Sequence, residues 1–262
     1  MTMLNLNLKS VLAFRNLTTV FTAGMFSFFC LLACVSAQQA TIESAEEELK
    51  GGKYSAAITA FNTLLQAAPK DERLQQGSLK AYLETGKYIE AETEAKKFLA
   101  RGESSAARLA LAEVMATTGR YPAAIAEFEK VSQTTQKAIE KAEKEEKEKK
   151  PDAEEKPEPI PSPKAQKVRA DLRRAELLHL TGKEEQAKEI FEALVKYYED
   201  NDVDSAEELT SIARALIYLE KYQDAKDMYL EAISADETYI EAQLGGGELF
   251  TSKYNYEEAA TF

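Results

Sequence analysis

Residues 51–71 read GGKYSAAITAFNTLLQAAPKD: a glycine turn, a Lys-Tyr pair, then Ala57 and Phe61 four positions apart. The phrase returns as TGKYIEAETEAKKFLA from Thr85 and TGRYPAAIAEFEKV from Thr118. It appears again as TGKEEQAKEIFEALV from Thr181, LEKYQDAKDMYLEAI from Leu219 and SKYNYEEAATF from Ser252. Anchored on the turn residue, Gly52 to Gly86 is 34 residues and Gly86 to Gly119 is 33. Gly119 to Gly182 is 63, Gly182 to the equivalent Glu220 is 38, and Glu220 to Tyr254 is 34 again. A fixed period of this length marks stacked supersecondary units.

Each unit reads as two short amphipathic helices around a tight turn. In the second, LQQGSLKAYLET precedes the turn and YIEAETEAKKFLA follows it. Leu79, Tyr82 and Leu83 share one helical face, as do Ala91, Ala95, Phe98 and Leu99. Gly86 lets the backbone turn where a Cβ would strain it. The recurring Ala57, Ala91, Ala124, Ala187, Ala225 and Ala259 let two helices approach, and the aromatic one turn later fills the space beside them. One hairpin cannot bury its apolar stripe alone; a stack of hairpins can. Composition agrees: Ala, Glu, Lys and Leu dominate, and no run alternates strictly enough to suggest a sheet.

The period and the A-x3-F element (Ala57/Phe61, Ala124/Phe128, Ala187/Phe191, with Tyr229 after Ala225) resemble the tetratricopeptide repeat (TPR) family. Ala91 is followed by Ala95, the closing Pro survives only as Pro69, and no unit has the first-helix Trp. The resemblance spans residues 38–262 apart from one insertion. It implies an all-α fold, a right-handed α-solenoid of helix-turn-helix hairpins with a concave groove lined by each first helix.

Residues 1–37 differ from the rest. They carry Lys9 and Arg15, no acid, and the apolar stretch VFTAGMFSFFCLLACVSA. This pattern reads as a secretory signal peptide cut after Ala37. Two alternatives stay open: an uncleaved membrane anchor, since about 18 apolar residues lie near the lower limit for a span, and lipidation at Cys34, since LLAC resembles a bacterial lipoprotein box. Cleavage after Ala37 removes both cysteines, Cys30 and Cys34, leaving no disulfide framework. It also moves the net charge from −12 to −14 by removing Lys9 and Arg15. So acidic a chain is repelled by nucleic acid and anionic lipid. The expected location is exported: periplasmic or secreted, or the outer membrane if Cys34 is lipidated.

The long gap exceeds one period by about 29 residues and divides units 1–3 (38–132) from units 4–6 (164–262). Residues 133–163 read as a charged extension of the preceding helix running into solvent, then a Pro-rich linker that cannot remain helical. A tolerated loop insertion is favoured over a docking arm. The final YNYEEAATF, residues 254–262, begins the second helix of unit six and stops near its middle. It reads as a truncated chain with a frayed last helix and more repeats or another domain beyond.

Nothing in the sequence marks catalysis or a cofactor. His179 is the sole histidine, and no H-E-x-x-H, G-x-x-x-x-G-K-[ST] or G-x-S-x-G occurs. Gly245 to Gly247 fall inside a helix and lack a Lys-Ser/Thr partner, so close packing is expected rather than phosphate binding. The carboxylates read as scattered on outer helix faces, without the burial that acid–base work needs. The repeat register places Lys80, Glu84, Glu113, Glu176, His179, Arg214, Tyr218 and Glu248 toward the groove. With Glu46, Glu113 and Glu176 at the recurring ligand-facing position, the resemblance argues against the clamp that some TPR co-chaperones use for an acidic C-terminus.

The reading is an exported bacterial TPR scaffold binding a protein or peptide, non-enzymatic within these residues, with membrane contact only through an uncleaved signal or a lipidated Cys34. One alternative is the N-terminal TPR region of a larger exported enzyme with a metallopeptidase-like domain beyond residue 262. Another, of a different class, is a lipid-anchored outer-membrane assembly factor. Intact mass of the exported protein separates the N-terminal readings: cleavage after Ala37 gives a chain starting at Gln38, and a di- or triacylated Cys34 excludes it.

Overall fold

A computed structural model describes residues 41–147 and 162–252, which form eleven helices and no strand. The leader with Cys34, most of the Pro-rich linker and the second helix of unit six, where fraying is expected, lie outside the described residues. The helices pair in chain order. α1 (Ile42–Lys50) and α2 (Tyr54–Ala67) form the first hairpin, α3 (Glu72–Glu84) and α4 (Tyr88–Arg101) the second. α5 (Ser105–Thr117) pairs with α6 (Tyr121–Lys147), α7 (Pro163–Leu180) with α8 (Glu184–Asp200), and α9 (Ala206–Tyr218) with α10 (Tyr222–Ala235). α11 (Ile240–Ser252) opens the sixth. The result is a helical solenoid.

One turn joins every hairpin. Gly52, Gly86, Gly119 and Gly182 adopt φ near +70°, and Glu220 takes the same place at φ +59°. The following amide closes a six-residue loop onto the first helix: Lys53 N donates to Glu48 O at 2.8 Å, Lys87 N to Tyr82 O at 3.0 Å, Arg120 N to Met115 O at 2.8 Å, Lys183 N to Leu178 O at 2.9 Å and Lys221 N to Leu216 O at 2.9 Å. These bonds satisfy carbonyls that the ending helix would leave orphaned. The Cβ of Glu220 makes that turn strained where glycine is not.

The two helices of a hairpin begin differently. α1, α3, α5 and α7 start at Thr41, Asp71, Ser104 and Ser162, whose side chains accept backbone N–H groups of the first turn. α2, α4, α8 and α10 start at lysines with no side-chain cap, because the turn already fixes the chain there.

The core follows the repeated residues. Ala57, Phe61, Ala91, Ala95, Ala124, Phe128, Ala187, Phe191, Ala225 and Tyr229 are all buried. α6 is 27 residues long. Val131 and Thr135 on it are buried, Ile139 is partly buried, and Glu140 to Glu145 are exposed. Leu109, Ala112, Ala116, Ala124, Phe128 and Val131 share one apolar cluster with Ala170 and Leu177 of α7, so packing runs uninterrupted from unit three into unit four. No helix among the described residues is long and apolar enough to cross a membrane.

Adjacent hairpins lock at two glycines. A Cβ on Gly77 would lie 2.3 Å from Phe61 Cζ, and one on Gly245 would lie 2.5 Å from Tyr229 Cε1. Neither ring has room to retreat, because Phe61 and Tyr229 are almost wholly enclosed. Gly245 therefore serves packing within α11. Alanine ordinarily stabilises a helix by about 1 kcal/mol over glycine. Here overpacking reverses the sign: Gly77→Ala is expected to lower stability by about 1–3 kcal/mol in urea melts, and a gain would show that Phe61 moves freely.

Candidate functional site

A cavity of about 450 Å³ runs along the concave side. This lies in the size range of ligand pockets, about 300–1,000 Å³. Its walls come mainly from the first helices of successive hairpins: Leu79, Lys80, Leu83 and Glu84 of α3; Leu109, Ala110 and Glu113 of α5; Arg169, Leu172 and Arg173 of α7; and Glu207, Thr210, Ser211 and Arg214 of α9. Gln76, Tyr88, Ala106, Thr117, Tyr239 and Glu241 complete the lining. Lys80 Nζ lies 3.1 Å from Glu241 Oε1, linking unit two to unit six across 161 residues.

The floor is a ladder of alternating charge. Arg173 donates Nε and Nη2 to Glu113 at 3.1 Å and also pairs with Glu176. Arg214 Nη2 reaches Glu176 at 2.5 Å. Arg169 sits between Glu113 at 3.8 Å and Glu207 at 3.6 Å. The motif begins at the first joint, where Arg73 grips Glu46 with two bonds of 2.7 Å. Burial alone would depress the Arg173 guanidinium, but Glu113 and Glu176 outweigh it and hold it above its ordinary value. Burial likewise pushes Glu241 up, while Lys80 outweighs that and leaves it below the usual carboxylate range.

These pairs correct the reading of carboxylates as scattered on outer faces. Glu113 and Glu176 do lie at the groove, but their side chains are only 13% and 5% exposed and are engaged by arginines. A paired, buried acid is no longer a free ligand contact.

The eight expected groove residues separate into three places. Lys80, Glu84, Glu113 and Arg214 line the central cavity, and Glu176 lies beneath it in the ladder. His179 and Tyr218 line a smaller hollow of about 280 Å³ with Glu184, Phe191 and Glu220. There His179 Nδ1 is 2.7 Å from Glu184 Oε2, and Tyr218 stacks on Phe191 with ring centroids 4.6 Å apart. Burial, with Glu176 nearby, raises the Tyr218 phenol. Glu248 is exposed beside Leu244 on α11. Among the described residues no group of three or more His, Cys, Asp or Glu could hold a metal ion.

Arg169, Arg173, Glu207, Tyr239 and Glu241 were not anticipated. One signal was available: nine positions before the turn residues of units two to five stand Gly77, Ala110, Arg173 and Ser211. Three are small, so the arginine marks a departure. If Arg173 holds the ladder together, Arg173→Met leaves buried Glu113 with only Arg169 at 3.8 Å and Glu176 with Arg214 alone, and is expected to cost about 3 kcal/mol in urea melts. Adding Glu176→Gln should restore about 1 kcal/mol of that loss, whereas strict additivity would show the pair to be uncoupled.

The tetratricopeptide repeat family matches residues 78–152 and again residues 209–239. No curated protein matches the chain. Among solved structures, a tetratricopeptide repeat protein from Parabacteroides merdae is 16% identical over 84% of this chain and 73% of that one, with a TM-score of 0.50. A thermophilic TPR protein from Thermus thermophilus is 15% identical over 84% of this chain and 97% of its own, also at 0.50. At these identities the structural likeness speaks for the fold alone. Together with the repeated turn, the alanine–aromatic packing and the family matches, it identifies the chain as a member of the tetratricopeptide repeat family, a protein–protein interaction scaffold.

Proposed function

We propose that this chain is an exported scaffold that holds a protein or peptide partner in its concave groove. The observation that carries the reading is the cavity itself. Side chains from four successive hairpins and from α11 converge on one groove-like space. Rigid helices present them, so recognition needs little reorganisation. Export is supported by the leader pattern of residues 1–37, with the periplasm or secretion as the destination after cleavage and the outer membrane if Cys34 carries lipid.

The charge left for a partner is not the sum of the lining residues. Glu113, Glu176, Arg173 and Arg214 neutralise one another, and Lys80 is matched by Glu241. Glu84 lines the same space, is exposed and has no ion pair among the described residues. It is the place to test occupancy without breaking the floor. Partners recovered on the full chain under native conditions and then purified should bind Glu84→Lys at least about tenfold more weakly by calorimetry. Glu199→Lys, at an exposed position of α8, serves as the control. Equal loss in both variants, or none in Glu84→Lys, places the partner outside the groove.

A further inference from the structure

The joint between units three and four carries structure that the repeat does not need. α2, α4 and α10 are 14 residues long, whereas α6 runs for 27 and α8 for 17. α3, α5 and α9 begin 14 residues before their turn residue, and α7 begins 19 before Gly182. The added turns meet. α6 and α8 each pack on α7, while their Cα atoms stay more than 8 Å apart. They are the two walls of a trough whose floor is the start of α7. Its volume is about 370 Å³, and it shares no lining residue with the concave cavity.

The inner surface of the trough is apolar. Ile139 of α6, Val168 of α7, and Ile190, Ala193 and Leu194 of α8 line it. Ala193 is exposed, and Ile139 and Ile190 are only partly buried, so the walls keep apolar surface in reach of a guest. The lining on α8 runs from Glu189 to Asn201, about 18 Å at 1.5 Å per residue. Two helices set apart on a third leave the place that a fourth helix fills in a bundle, ridges settling into grooves. An amphipathic helix laid by its apolar face into such a groove is a general mode of recognition.

Charge narrows the choice of helix. Glu143, Asp171, Glu189, Lys164 and Lys167 are the charged side chains of the lining. Lys167 Nζ lies 2.7 Å from Asp171 Oδ2, so those two answer each other. Glu143, Glu189 and Lys164 are exposed and have no ion pair among the described residues. One carboxylate therefore stands unanswered on each wall, and the single unanswered cation sits on the floor helix. A guest with basic residues on both flanks of its apolar stripe meets a carboxylate on either side.

We infer that this trough docks an amphipathic helix of a partner protein, its apolar stripe against Ile139, Ile190, Ala193 and Leu194 and its flanking Lys or Arg residues against Glu143 and Glu189. The site is separate from the concave groove and does not depend on what that groove holds.

A displayed library of helices about 15 residues long, apolar at i, i+4 and i+7 and free to take either charge on the flanks, tests this by selection against the full chain. Selected helices, synthesised and labelled, are expected to carry Lys or Arg beside the stripe and to bind in fluorescence polarisation. Ala193→Trp fills the trough from an exposed position and should weaken binding at least about tenfold, as should Glu143→Lys combined with Glu189→Lys. Thermal melts establish that the variants stay folded. Glu84→Lys, in the concave cavity, should leave the affinity unchanged. Loss in Glu84→Lys with none in Ala193→Trp places the helix in the concave groove and overturns the inference. Selection of acidic flanks, or of no helix at all, overturns it too. A dimer of the full chain that Ala193→Trp dissociates in sedimentation would make the occupant a second copy. Helices that bind only after residues 151–161 are exchanged for Gly-Ser would make it the chain's own linker. Either result overturns docking of a partner.

Discussion

The ring at the heart of four of the five described second helices is the constraint on which the rest of the solenoid depends. Phe61, Phe128, Phe191 and Tyr229 are almost wholly enclosed. No single hairpin offers enough apolar surface to cover such a ring. The first helix of the following hairpin has to lie across it, as Gly77 does over Phe61 and Gly245 over Tyr229. Once the ring fixes that crossing, the same face of every first helix turns inward. The groove is a geometric consequence of burying aromatics on the other side.

Charge is organised by the same stacking. Glu46 meets Arg73, Glu113 meets Arg173 and Glu176 meets Arg214, each pair joining the first helix of one hairpin to the first helix of the next. Buried pairs of this kind are weak contributors to net stability against an apolar replacement, but they penalise any register that leaves a charge alone. They also decide what the groove is chemically. A surface that sums to a mixed, acidic lining becomes largely self-neutralised, and recognition falls to the few groups outside the ladder.

Much of this was legible in the repeat. The interval from turn to turn set where helices begin, and it identified Glu220 as a stand-in for glycine, a place it holds at φ +59°. Within the described residues, the alanine–aromatic pairs of units one, three, four and five are all buried, as the repeat implied. The groove was legible only in part. Register says which side chains point inward, not which of them meet, so Glu113 and Glu176 were readable as groove residues but not as paired ones. Lys80 and Glu241 are 161 residues apart, and nothing local in either segment announces the other. Their meeting depends on accumulated curvature over several units. Arg173 had a local sign, a long cation where neighbouring units place a small residue, yet its partners come from another helix and from one turn further along its own.

The contact between Lys80 and Glu241 gives the groove a clasp. Both side chains remain nearly half exposed, so salt competes with the pair directly. The clasp ties unit two to unit six, and an exposed pair of this kind is worth about 0–1 kcal/mol. Ionic strength therefore acts on the tie between the two ends of the groove itself, quite apart from any charge that a partner carries.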